Sequence, residues 1–344
     1  MKKKEDLTFA EETRREKVNL AFTSPLLATC FICFLYVIFR QIDISIIQKF
    51  SDVPGYFYIK TISSLVLTGL TFLIPFWIYN IAIGEKVRTL FKKERTKVHS
   101  AYYILGSLAV CGFGAAIQQL GNDLVGLAEA RGITFIDNLP MFEENPVFFI
   151  ILSAIIPSIC YEIAFRGVFI ENLKKHSYAA AIIMSAVAYS LSHYSLKIMP
   201  YTLVTGLILG WLYVKSESIY ITLTAQILTN GFIAWLYVAR NILSPEDAGR
   251  LSYYVVLIGL TVGIVCVALL IALFGFTKKH DEKEKEEVYS PKETLWGIFT
   301  SFAFYMMIGI SVFFLMFYYV QPKEKEEEED PAPEEACIII DDRF

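Results

Sequence analysis

Apolar residues in this chain fall into long unbroken runs, without the spacing of a half-exposed helix or the alternation of a half-buried strand. Nine stretches, about 24–41, 59–82, 101–121, 146–170, 178–196, 200–214, 219–239, 252–277 and 294–320, are apolar enough to predict buried helices. Roughly 20 apolar residues suffice to cross the hydrocarbon core of a bilayer. The pattern therefore predicts an all-α polytopic membrane protein with about eight or nine transmembrane helices, the short sixth stretch setting the error of one. No loop between them exceeds about 25 residues, which leaves no room for a folded soluble domain. No internal repeat of the transporter kind is visible.

Charge orients these helices. Lys2–Lys4 with Arg14, Arg15 and Lys17, the run EKVRTLFKKERTK at 85–97, Lys174 with Lys175, Lys215, and Lys278 with Lys279 occupy alternate loops, while the intervening loops are acidic or nearly neutral. Basic loops stay on the cytoplasmic side, so the N-terminus is expected inside and, with nine spans, the C-terminus outside. Some seventeen polar residues precede the first span, too many for a cleaved signal, and the first helix is expected to remain as an anchor. The segment 86–97 reads as a solvated loop, with contact to anionic headgroups the less simple alternative. A bacterial cytoplasmic membrane fits the short loops and the missing targeting sequence, with the endoplasmic reticulum as the alternative.

Composition sharpens the class. Of 344 residues 55% are hydrophobic, and the positive mean hydropathy excludes an ordinary soluble enzyme. The net charge of −4 is uneven: ten acids and three bases from Lys323 to Phe344 give −7, leaving about +3 on the rest. The 27 Phe and 20 Tyr exclude disorder of the body, whereas the tail EKEEEEDPAPEE has the composition of a solvated segment. Nucleic acid is not an expected partner; membrane lipid is. Cys30, Cys33, Cys111, Cys160 and Cys266 sit within apolar runs and read as small hydrophobes, not as a disulfide framework. The CxxC of Cys30 and Cys33 therefore reads as packing. Cys337 with Ile338, Ile339 and Ile340 looks superficially like a prenylation box, but that signal needs its cysteine fourth from the end and Asp341 to Phe344 follow.

Ionisable residues inside spans are costly and usually functional. Three spans carry polar residues four apart, and so on one helical face: Glu162 and Arg166 in the fourth, Tyr189 and His193 in the fifth, Gln226 and Asn230 in the seventh. At 1.5 Å per residue, Glu162 lies roughly 18 Å, His193 roughly 24 Å and Asn230 roughly 16 Å from the assigned cytoplasmic ends. One shared polar layer near mid-membrane is the expectation. Each pair alone would read as interhelical hydrogen bonding worth about 1 kcal/mol or less; a Glu, an Arg, a His and an Asn at one depth read as a site. His99, His176 and His280 lie in or beside polar loops and are assigned no chemistry. Gly206 and Gly210 form a GxxxG that permits close helix packing.

These residues resemble a known family. The stretch from about Pro157 to Phe232, with YEIAFRG, YSLSH and GLILGWLYVKSESIYITLTAQILTNGF, is similar to the CPBP intramembrane proteases, which include the CAAX prenyl endopeptidases and the Abi or bacteriocin-processing proteins. The resemblance covers less than a quarter of the chain in three ordered motifs. The family's first motif, two adjacent glutamates followed by an arginine four residues after the second, falls on Tyr161, Glu162 and Arg166, so the first glutamate is replaced. The second, an aromatic four residues before a histidine, falls on Tyr189 and His193. The third, a histidine four residues before an asparagine, falls on Gln226 and Asn230, so its histidine is replaced.

The resemblance implies a catalytic set drawn from Glu162, Arg166, His193 and Asn230, with a glutamate activating water, histidines positioning it or holding a metal, and the asparagine stabilising the oxyanion. Tyr161 is a poor substitute base, because a phenol ordinarily titrates near pH 10, and Gln226 cannot carry a proton. With only Glu162 and His193 as ligands of the usual kinds, neither a catalytic nor a structural zinc is expected, and no cofactor. The expected organisation is a cytoplasmic segment 1–23, N-terminal transmembrane helices 24–145, a CPBP-like core 146–239, C-terminal transmembrane helices 240–320 and an acidic disordered tail 321–344. The expected function is that of an intramembrane endopeptidase homologue with impaired proteolysis, its cavity holding a membrane peptide, a lipid or a client protein. An active protease using Glu162 and His193, and a transporter using the same polar layer, are the alternatives.

Overall fold

The computed structural model describes residues 2–50, 53–84, 100–131, 133–135, 145–275, 289–316 and 320–322, leaving aside the side chains of 2–10, 33, 44, 47, 48 and 275 and of the two short strands. The chain folds as a helical membrane bundle. In order come α1 (Lys2–Phe50), α2 (Tyr56–Ala82), α3 (Ser100–Glu129), the strand β1 (Ile133–Phe135), α4 (Pro146–Tyr161), which runs through a π-helical segment (Glu162–Ile170) into the short α5 (Glu171–Leu173), then α6 (Tyr178–Leu191), α7 (Met199–Ser216), α8 (Ile219–Ile242), α9 (Pro245–Leu270), α10 (Pro291–Thr300), α11 (Phe302–Phe314) and the strand β2 (Val320–Pro322). The 86–97 run, His99, Lys278, Lys279, His280, the Cys33 side chain, Cys337 and the tail beyond residue 322 lie outside the described residues.

The starts of these helices follow from local chemistry. Pro146, Pro245 and Pro291 occupy first-turn positions, where a missing N–H costs nothing, behind the side-chain caps Asn145, Ser244 and Ser290. Ser290 and Glu293 form a reciprocal capping box, and Ser177 caps α6.

Among the described residues each of the nine expected stretches lies mainly on helix, but they are not equivalent. Six helices among the described residues are long and apolar enough to cross a membrane, and α10 with α11, bent by 55° at Ser301, makes a seventh if counted as one span. The fifth stretch is only 14 residues as α6, about 21 Å at 1.5 Å per residue, short of the ~30 Å core. It packs against α7, whose threonines, glycine pair and Lys215 dilute its apolar content. The sequence also suggested one continuous ninth helix; the break at Ser301 is held by a hydrogen bond from the Thr23 hydroxyl at 2.9 Å.

Helix α3 packs against α7, α8 and α9, α4 against α2 and α8, and α1 against α2, α10 and α11. Backbones approach most closely where glycines meet. A Cβ on Gly112 would stand 2.6 Å from the Gly259 carbonyl oxygen, and one on Gly259 2.7 Å from that of Gly112. Gly206 and Gly210 meet α6 at Ala186 and Ile182 with less compression, at 3.1 and 3.3 Å. Gly112→Ala is therefore expected to part α3 from α9 and cost about 1–3 kcal/mol, whereas Gly126→Ala, which meets open space, should leave thermal unfolding in detergent nearly unchanged.

The strands pair antiparallel, Ile133 opposite Pro322 and Phe135 opposite Val320, so the chain that follows α11 is fixed beside the end of α3. At the opposite end of the bundle His176 stacks on Tyr289 at 5.1 Å, with Phe22 at 6.3 Å, and Arg14 bridges to Glu293 at 2.5 Å. Burial and the neighbouring Lys175 hold the His176 imidazole below its ordinary pKa. A histidine whose folded pKa is depressed stabilises the fold above its unfolded pKa near 6.5, and that contribution is lost as pH falls through the folded value. Between pH 7.5 and 5 the wild-type melting temperature should fall more steeply than that of His176→Gln.

Candidate functional site

The three polar pairs do converge, but they divide into two layers. Tyr161, His193 and Asn230 line one cavity of about 620 Å³, whereas Glu162, Arg166, Tyr189 and Gln226 do not line it. Consecutive positions on a helix point about 100° apart, so with Tyr161 turned to the cavity, Glu162 faces into the protein.

Glu162 opens the π-helical segment, a geometry that often marks functional or strained positions. Its carboxylate and the Arg166 guanidinium are fully buried, 3.2 Å apart. Arg166 also stacks over the Tyr189 ring at 5.2 Å, and the Thr222 side chain stands beside Glu162. No hydrogen bond of good geometry closes on either charged group. The pair is a sealed ionic layer.

Tyr189 joins this layer to the next. The Gln226 amide donates to the Tyr189 hydroxyl at 3.1 Å and to the Asn230 side-chain oxygen at 3.2 Å. Asn230 in turn donates to Ser158 at 3.0 Å, and Ser158 to the Ala154 carbonyl at 2.5 Å. The relay ties α6, α8 and α4 together. Gln226 thus fills the histidine position as a structural amide, although its own oxygen is buried without a hydrogen bond. Asn230 presents the far side of this relay to the cavity.

His193 sits just past the end of α6, in a tight turn whose next residue, Tyr194, adopts a left-handed φ of +51°. Its Nδ1 lies 2.7 Å from the Tyr189 carbonyl oxygen. A carbonyl only accepts, so Nδ1 carries the proton and caps a carbonyl that the helix end leaves open. In the neutral ring Nε2 is then an acceptor. The ring is boxed by Tyr161 at 5.4 Å, Tyr189 at 4.8 Å and Phe72 at 5.6 Å.

Sequence reasoning missed several contributors. Phe72 of α2 packs on Tyr161 at 4.7 Å, Ser158 anchors Asn230, and Tyr201 lines the cavity. Ser158 lies one helical turn before Glu162 and was within reach of the same four-residue spacing; nothing local marked Phe72. The cavity opens between the ends of α3 and α8, the start of α4 and the turn after α6, with Glu129, Lys197 and Arg240 among its charged residues. Among the described residues, no three His, Cys, Asp or Glu side chains gather as metal ligands would. The cavity can accept and donate hydrogen bonds at its inner end, but of the seven motif positions none brings a carboxylate into it.

Residues 143–232 match the family model described as Type II CAAX prenyl endopeptidase Rce1-like. This segment is Rce1-like. It contains α4, the π-helical segment, α6, α7 and the first half of α8, and with them all seven motif positions. The helix α3 and the residues from Ile233 to Ala248 that complete the cavity lie outside the Rce1-like segment. No curated protein and no solved structure matches the chain.

Proposed function

We propose that this integral membrane protein is a CAAX-protease homologue in which peptide-bond hydrolysis is lost or strongly impaired and the intramembrane cavity binds a membrane peptide or a client protein without cleaving it. The observation that carries this reading is the arrangement of the first motif. The position that would present a general base to the cavity is Tyr161, and the remaining carboxylate, Glu162, is buried against Arg166 and turned away. His193 offers an acceptor nitrogen, but the one motif carboxylate, Glu162, does not line the cavity beside it to complete a hydrolytic set. With Lys174, Lys175 and Lys215 on the cytoplasmic side, the cavity opens toward the outer face.

The experiment is a search for new protein termini in membranes from wild-type, deletion and Glu162→Ala cells. Termini unchanged across all three, alongside a phenotype of the deletion, are the expected outcome. Cleavage products that vanish in both mutants would sink the reading and favour the active protease built on Glu162 and His193.

A further inference from the structure

Three helices line the cavity with continuous stripes. On α4 the stripe is Phe149, Ser153, Pro157 and Tyr161, at steps of four; on α3 it runs from Ala115 to Glu129, and on α8 from Asn230 to Asn241. At 1.5 Å per residue these stripes are about 18, 21 and 16 Å long. Contacts between the helices bring matching ends together. At the inner end Asn230 bonds to Ser158 at 3.0 Å, and a Cβ on Gly114 would stand 2.8 Å from the Thr229 side chain. Nearer the opening the Phe149 and Tyr237 rings pack at 6.1 Å. The cavity is therefore a cleft that runs with the helices for about 16–21 Å. An extended chain rises about 3.3 Å per residue, so about five or six residues match its length.

The polar lining is dominated by one kind of group. Gln118, Gln119 and Asn122 of α3 with Asn230 and Asn241 of α8 bring side-chain amides to the walls. An amide both donates and accepts, as each peptide unit does. Gln118 donates to the Asn122 oxygen at 3.3 Å, so this pair offers the cavity the Gln118 oxygen and the Asn122 N–H groups. The two are one turn apart, a rise of about 6 Å, close to the roughly 6.6–6.8 Å at which an extended peptide repeats the same edge. A lipid tail in the cleft would cover these amides without pairing them, at a cost. Tyr161, His193 and Asn230 meet at the inner end, whereas Glu129 and Arg240 stand at the outer ends of their stripes and Lys197 beside Gly121, midway along α3. A charge on the inserted end would find no counter-charge there.

We propose that the cleft takes a single extended, uncharged stretch of about five or six peptide residues and holds it through its main chain, with the side-chain amides of α3 and α8 as hydrogen-bond partners. This occupant rests on the reading of the cavity as a peptide-binding site. It makes α3, which lies outside the Rce1-like segment, a determinant of what is bound, and it makes the cleft tolerant of side-chain identity.

The test uses the full chain in lipid nanodiscs and a pool of N-acetylated, C-amidated hexapeptides of Ala, Val, Ser and Thr carrying one photoreactive diazirine residue. Irradiation should give adducts on the lining residues of α3, α4 and α8, located by mass spectrometry. The same pool without diazirine should compete for these adducts at least about tenfold better than a pool with alternate peptide nitrogens methylated, which keeps the side chains and removes main-chain donors. In Gln118→Met with Asn122→Leu, close in size to the wild type but apolar, that preference should shrink to below about threefold. Equal competition by the two pools on the wild type, or a preference unchanged in the double variant, would overturn main-chain recognition by α3 and leave peptide binding intact. Absence of peptide adducts from the cavity would overturn both, and adducts there from a phospholipid with a diazirine in its acyl chain would assign the cleft to lipid. None of these readouts depends on cleavage, so proteolysis found in the termini search would overturn only the non-cleaving part of the proposed function.

Discussion

Arg166→Ala should cost about 3–5 kcal/mol of stability, the range for removing one partner of a buried ion pair, and should be the most damaging single truncation among the motif residues. Glu162 and Arg166 are both without solvent contact at a separation of 3.2 Å, and no other side chain among the described residues forms an ion pair with Glu162. Removing the guanidinium leaves a carboxylate with neither water nor cation, and also strips the Tyr189 ring of the charge stacked on it. Tyr189 is the acceptor of Gln226, so the damage should pass into the relay that holds Asn230. Replacing both charges together, Glu162→Gln with Arg166→Met, removes the stranded charge and should recover most of the loss. Thermal unfolding in mild detergent measures all three proteins. A loss below about 1 kcal/mol in Arg166→Ala would mean that water reaches the pair, contrary to the sealed layer described above.

The second large effect is a gain. Tyr161→Glu with Gln226→His restores both replaced motif positions and should raise cleavage of a prenylated CAAX reporter peptide at least about 100-fold over wild type, since a positioned general base contributes 10²–10⁴ in rate. Position 161 faces the cavity beside His193, so a carboxylate there meets both the ring and whatever water the cavity holds. Tyr161→Glu alone should give a smaller rise, because Gln226 donates in fixed directions to Tyr189 and Asn230 and cannot exchange a proton. The comparison is made on purified protein in nanodiscs with equal amounts of each variant folded. No gain in the double variant would mean that the cavity has lost more than two residues of a hydrolytic site.

Much of this was legible without coordinates, for reasons that differ from residue to residue. The helical membrane class followed from run lengths, because hydrocarbon thickness converts directly into a number of apolar residues. The partnership of Glu162 with Arg166 followed from four-residue spacing on one helix, and the motif resemblance fell within the Rce1-like segment 143–232. Each of these is set by the chain within a turn or two of itself, or by the bilayer.

What the tertiary structure decided lies between helices. Tyr161 and Glu162 are adjacent in sequence, yet packing against α2, α6 and α8 turns one to the cavity and the other into a sealed layer. Neither periodicity nor composition could assign those faces, since both neighbours sit in an almost wholly apolar stretch with no polar side to give the rotation. The same holds for Phe72 over Tyr161, for Ser158 beneath Asn230, and for α3 and the end of α8, which complete the cavity from outside the motif region. Such contacts join residues tens to more than a hundred positions apart, and they exist only once the helices have chosen their neighbours. The sequence by itself determined that polar groups would be buried in a membrane bundle and which of them could pair along a helix; only the assembled bundle determined which of them face the cavity.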